Sequence, residues 1–95
     1  MIRYLAILEK EPGTLWGVYF PDLPGCVSAA ETAEEAIENA EAALKEVAED
    51  MDLEGIALPA ARSVEDLQAD ANVRAALASG AALVSVPLRV AEAAE

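Results

Sequence analysis

The stretch Thr32-Ala33-Glu34-Glu35-Ala36-Ile37-Glu38-Asn39-Ala40-Glu41-Ala42-Ala43-Leu44-Lys45-Glu46-Val47-Ala48-Glu49-Asp50-Met51-Asp52 decides how the rest of this chain must fold. It opens on a capping box: the Thr32 hydroxyl is placed to accept from the Glu35 amide, and Glu35 to reach back. Ile37, Ala40, Leu44, Val47 and Met51 then recur at alternating three and four, which makes one apolar stripe. Glu41 and Lys45 stand at i, i+4 in the favourable order. The spacing predicts a helix from Ala33 to about Asp52, ~30 Å long at 1.5 Å per residue. A helix with one apolar stripe must bury it, and the residues before it supply a sheet.

Residues 2–8 read as a strand, with Ile2, Tyr4, Ala6 and Leu8 on one face and Arg3, Leu5 and Ile7 on the other. Both faces are apolar enough to be covered. Pro12-Gly13 suits a type II turn, and residues 15–20 form a second strand with Trp16, Val18 and Phe20 on one face. Trp16 and Phe20 are expected in the core. Tyr19 points the other way, either beneath another element or onto a contact surface. Pro21-Asp22-Leu23-Pro24-Gly25 is a stiff connection, and Cys26 to Glu31 is a short third strand. Together these make an antiparallel meander.

Beyond the helix, Leu53 to Arg62 is a loop with Gly55 and Pro59 as breakers. Ser63-Val64-Glu65-Asp66 is a weaker capping signature. A second helical stretch runs to about Ser79, interrupted at Asp70-Ala71-Asn72 and stopped by Gly80. Val84, Val86, Leu88 and Val90 alternate with Ser85, Pro87 and Arg89 as a fourth strand. Pro87 donates no ladder bond, so that strand lies at an edge or bends there. Ala91 to Glu95 is long enough only to start a helix. The order β-β-β-α-(α)-β predicts one α+β domain over 1–95: a three-stranded antiparallel meander plus a fourth strand, with the long helix packed on the sheet. A strand–helix–strand return to the sheet is expected to be right-handed.

Composition narrows the function. Of 95 residues, 18 are acidic and 6 basic, for a net charge of −12. Residues 31–54 hold ten acids against Lys45 alone, which is −9 of that total. Such a run is either a solvated helix face or a docking and steering surface for a cationic partner. Phosphate backbones require a basic footprint, so direct nucleic-acid binding is not expected. There is no His, which removes Ser–His and Cys–His nucleophile pairs. The single Cys26 makes neither an internal disulfide nor a Cys-rich zinc site. Carboxylates spread around the outer arc of one helix do not converge on a metal, so neither a metal nor another cofactor is expected. Apolar runs fall short of the ~20 residues a membrane helix needs, and the N-terminus lacks a signal-peptide layout. The expected location is therefore cytoplasmic. A metal-dependent acidic hydrolase is a further possibility, which an Asp22-dependent nuclease activity would reveal.

Asp22 stands between two prolines that fix φ and hold their predecessors extended. The segment is either a connector whose Leu23 plugs the sheet end, or a preorganised loop presenting Asp22 and Leu23 to a partner at low entropic cost. Tyr19, Asp22, Leu23 and Pro24 are the candidate partner-binding residues. No catalytic residue is expected.

The run Trp16-Gly17-Val18-Tyr19-Phe20-Pro21-Asp22-Leu23-Pro24-Gly25-Cys26, followed by Glu31-Thr32-Ala33-Glu34-Glu35-Ala36-Ile37-Glu38-Asn39-Ala40, resembles the HicB-like antitoxin family. The resemblance covers residues 1–60 well and the remainder more loosely. It implies a partial RNase H-like fold, β-β-β-α-β, with the last strand parallel to the first. It also implies an antitoxin that binds a small basic HicA-like mRNA interferase toxin and masks its catalytic surface. Many members of the family continue into a DNA-binding segment after the last strand, whereas five residues follow Val90 here, so operator binding is not expected. The alternative is an orphan HicB-like oligomerisation or regulatory domain without a toxin. A homo-oligomer is expected in either case.

Overall fold

Alternation along the first strand decides the layering. In the computed structural model, which describes residues 2–10 and 12–89, β1 (Arg3–Lys10) sends Tyr4 and Ala6 to one side of the sheet and Leu5 and Ile7 to the other. β2 (Trp16–Tyr19) and β3 (Val27–Ala30) complete the meander, with Leu8 opposite Val18 and Val18 opposite Ser28. Next come α1 (Ala33–Leu53), α2 (Val64–Gln68), α3 (Ala71–Ala78) and β4 (Ala82–Pro87). The sheet order is β3-β2-β1-β4, and every neighbouring pair is antiparallel.

The last point corrects an expectation. β4 runs antiparallel to β1, with Ala82 opposite Leu8 and Pro87 opposite Arg3. A single helix after β3 would return the chain for a parallel fourth strand. Here α2 and α3 carry it across the opposite face and deliver it to the Leu8 end of β1. The handedness rule for parallel crossovers therefore has no purchase on this connection. β4 is an edge strand, as Pro87 requires. Val90 and the helical start expected over 91–95 lie outside the described residues.

α1 covers one face. The Thr32 side chain accepts from the Glu35 amide at 3.1 Å, so the hydroxyl half of the predicted cap forms. The fully buried line is Ala36, Ala40, Leu44 and Ala48, while Ile37, Ala43, Val47 and Met51 flank it half-buried. The stripe is thus centred one position away from the one expected. Three of its four central residues are Ala, so the helix lies close to the sheet and its larger side chains splay to the margins. They meet Tyr4, Ala6, Val18, Phe20, Leu23, Cys26, Val86 and Leu88.

The other face carries α2 and α3. Asp70, expected to interrupt one helix, caps α3 by accepting from the Asn72 and Val73 amides at 2.9 and 3.2 Å. Leu67 and Val73 pack on Ile7, with Leu5, Tyr19, Leu77 and Leu83 around them. α3 ends at Gly80, whose φ of 105° is open to glycine and strained for other residues. The Ala81 amide then reaches back to the Ala76 carbonyl, and the Gly80 amide to that of Leu77, each at 3.1 Å.

Candidate partner-binding surface

The connection from β2 to β3 is two successive β-turns. The Leu23 amide donates to the Phe20 carbonyl at 3.1 Å, with Pro21 in the first central position. The Cys26 amide donates to the Leu23 carbonyl at 3.0 Å, with Pro24 and Gly25 between them. Gly25 has φ 93°, as the third residue of a type II turn demands. Both prolines stand where no amide donor is needed, so the segment is rigid at little cost in hydrogen bonds.

That rigidity aims Asp22 inward. Its carboxylate accepts from the Arg62 backbone amide at 2.9 Å and from Arg62 Nε at 2.6 Å. The Asp22 side chain is only 5% exposed. Arg62 also reaches the outer oxygen of Asp70 at 3.4 Å. One guanidinium thus ties together the turn, the loop before α2 and the cap of α3. The Asp22 hydrogen bond is the main reason the Arg62 guanidinium holds its proton even more firmly than usual. The Asp70 carboxyl sits below its ordinary value, chiefly through the Val73 amide, with help from Asn72 and Arg62. A second fastening lies nearby: the Tyr4 hydroxyl donates to the Pro59 carbonyl at 2.5 Å. Burial, and then the negative charge of Asp22, push the Tyr4 hydroxyl pKa up.

The four candidate residues therefore separate. Leu23 is 5% exposed and belongs to the core beneath α1. Asp22 is engaged by Arg62. Tyr19 lies half-buried beneath α2 and α3, its hydroxyl pKa raised first by burial and then by Glu9 and Asp70. Of the four, Pro24 alone is exposed, and Val27 just beyond it is 59% exposed. Sequence reading passed over Arg62. Its signal was present: it is the only basic residue between Lys45 and Arg74, and such an isolated cation in an acidic chain invites a search for a carboxylate partner.

The outer surface of α1 differs in kind. Glu34, Glu35, Glu38, Glu46, Glu49, Asp50 and Asp52 are exposed along it. Glu41, expected to pair with Lys45, instead accepts from Arg89 Nε at 2.5 Å, because Arg89 leaves the end of β4 alongside the helix. At the helix C-terminus Leu53 is 84% and Ile56 50% exposed, and Leu53 stands between Asp52 and Glu54. Among the described residues no three His, Cys, Asp or Glu side chains converge as a metal site requires. Cys26 is buried on the α1 side, and desolvation raises its thiol pKa. No helix of the described residues is long and apolar enough to cross a membrane.

A family profile described as HicB-like antitoxin of bacterial toxin–antitoxin system matches residues 4–93. Among solved structures, the Burkholderia pseudomallei antitoxin HicB is similar at 28% identity and TM-score 0.78, over 93% of this chain and 64% of that one. The chain thus spans just under two thirds of that relative. The N-terminal domain of the same antitoxin matches at 27% identity and TM-score 0.76, over 93% of this chain and 99% of that one. A chain of the HicA3 and HicB3 toxin–antitoxin complex matches at 26% identity and TM-score 0.71, over 93% and 99%. No curated protein sequence matches.

Proposed function

The chain belongs to the HicB-like antitoxin family of bacterial toxin–antitoxin systems, and from that premise we propose that it binds a small basic toxin and masks the toxin's catalytic surface. The match of nearly the whole chain to a chain of the HicA3 and HicB3 complex carries the proposal. The charge supports it: the exposed acids of α1 form a field that attracts a cation-rich surface and opposes nucleic-acid phosphates. Leu53 and Ile56 offer apolar contact within that field. Pro24 and Val27 extend the surface at the β2–β3 turn, while Asp22 and Leu23 hold that turn from within and Tyr19 lies beneath α2 and α3. The domain acts by binding, in the cytoplasm, with no catalysis and no cofactor.

Co-expression with a small basic toxin encoded beside this chain should restore growth and yield a complex. A neighbouring toxin that neither binds nor is neutralised overturns the proposal. In a titration, the double change Glu38→Lys and Glu49→Lys should slow association about tenfold and flatten its salt dependence. Unchanged kinetics would remove α1 from the interface.

A second reading, self-association, rests on β4. The Leu88 amide donates to the Ile2 carbonyl at 2.8 Å, so the even-numbered residues of this strand face β1 and the amides of Leu83 and Ser85 face outward. Pro87 removes the next outward donor and shortens the usable edge. Light scattering decides: a monomer at micromolar concentration eliminates it.

A further inference from the structure

We propose that α2 and α3 form a hinged cover that opens as a unit while the sheet and α1 stay closed. The two faces of the sheet are sealed to very different degrees. Among the described residues, the α1 side buries twelve side chains in one cluster, whereas the α2–α3 side buries three, Ile7, Leu67 and Val73. α2 has five residues and α3 eight, too short to be stable without tertiary packing. The unit is bounded by natural hinges. On one side Ala60, Ala61 and Ser63 are exposed, just past the Tyr4–Pro59 fastening, and on the other Gly80 stands at φ 105°. One side chain fastens it. Arg62 holds Asp22 on the body and Asp70 on the cover, and its own side chain is 37% exposed, so water competes for it. Opening uncovers an apolar strip of sheet, Leu5, Ile7, Tyr19 and Leu83.

Two matched thiols test this. Cys26 is 3% and Val73 2% exposed, on opposite faces of the sheet. In the full chain, a thiol introduced by Val73→Cys in a Cys26→Ser background should be labelled at least about tenfold faster than Cys26 in the wild-type chain, because sub-global openings reach only the weaker unit. Arg62→Gln should accelerate labelling at position 73 about fivefold and that at Cys26, whose turn it braces through Asp22, clearly less. Asp70→Asn should act in the same direction, since Asn keeps the α3 cap while losing the ion pair. Equal rates at the two thiols, or an Arg62→Gln effect of the same size on both, overturn the proposal. Hydrogen exchange on the unmodified chain keeps the test independent of these variants: amides of residues 64–79 must exchange faster than those of 36–48, and coincident rates refute a separate cover.

Discussion

The two faces of the sheet are covered by helices of opposite character. On one side a single capped helix of 21 residues lays a line of small side chains against Tyr4, Val18 and Phe20. On the other, two short helices rest on Ile7 and are fastened at their edge by Arg62. The first arrangement draws its strength chiefly from buried area, which ionic screening and mild changes of pH touch little. The second draws a larger share from caps and an ion pair open to water, which are worth little each and respond to conditions. A small domain thus holds a firm half and a yielding half on one sheet, and the exposed acids of α1 stand on the firm half.

The largest effect should come from the firm side. Leu44→Ala removes a fully buried side chain between Ala neighbours that cannot swell into the space, and should cost about 3–4 kcal/mol in denaturant unfolding. Leu67→Ala, equally buried on the other face, should cost about 2 kcal/mol, because the loosely held cover collapses around the gap. Equal losses would show that both faces are packed alike. Thr32→Ala should cost about 1 kcal/mol and show as fraying of the first turn of α1 in hydrogen exchange. Tyr4→Phe should cost about 1 kcal/mol by freeing the Pro59 carbonyl, read as faster exchange across residues 56–62.

The smallest expected effect is acid loosening of the yielding side. The folded Asp70 carboxyl lies below its unfolded value, so its contribution is present above about pH 4 and fades as pH falls through the lower folded value. Protection from exchange within 70–78 should therefore fall, below about pH 4, before that of α1, and Asp70→Asn should abolish the difference. The opposite end of the pH scale bears on the firm side. The Tyr4 hydroxyl is raised, so its contribution is complete below about pH 10 and lost as pH climbs through the higher folded value.

Local patterns made most of the fold legible. The Thr32 cap, the period of α1, the Gly80 stop and the alternation of β1 each depend on neighbours within a few residues. What failed to show were features that depend on where distant segments meet. The direction of β4 turned on how α2 and α3 cross the sheet, not on any residue within the strand. The candidate turn was marked correctly as rigid, since Pro21 and Pro24 fix it. Its orientation depended on Arg62, forty residues away in sequence. Asp22 and Leu23 therefore face inward, as the connector reading with Leu23 plugging the sheet end has it, and the presented loop, the sequence's other reading, does not form.

By itself the sequence determined the charge and its place on one helix, the helix's cap and length, the exclusion of His-based chemistry, and the motif run that resembles the HicB-like antitoxin family. These are matters of composition and of interactions along a few turns of chain. Only the tertiary structure decided which residues the rigid turn buries, that β4 closes the sheet antiparallel, and that one arginine joins the two halves. Each of those outcomes required segments tens of residues apart to compete for the same apolar surface or the same carboxylate, and that competition is settled in space.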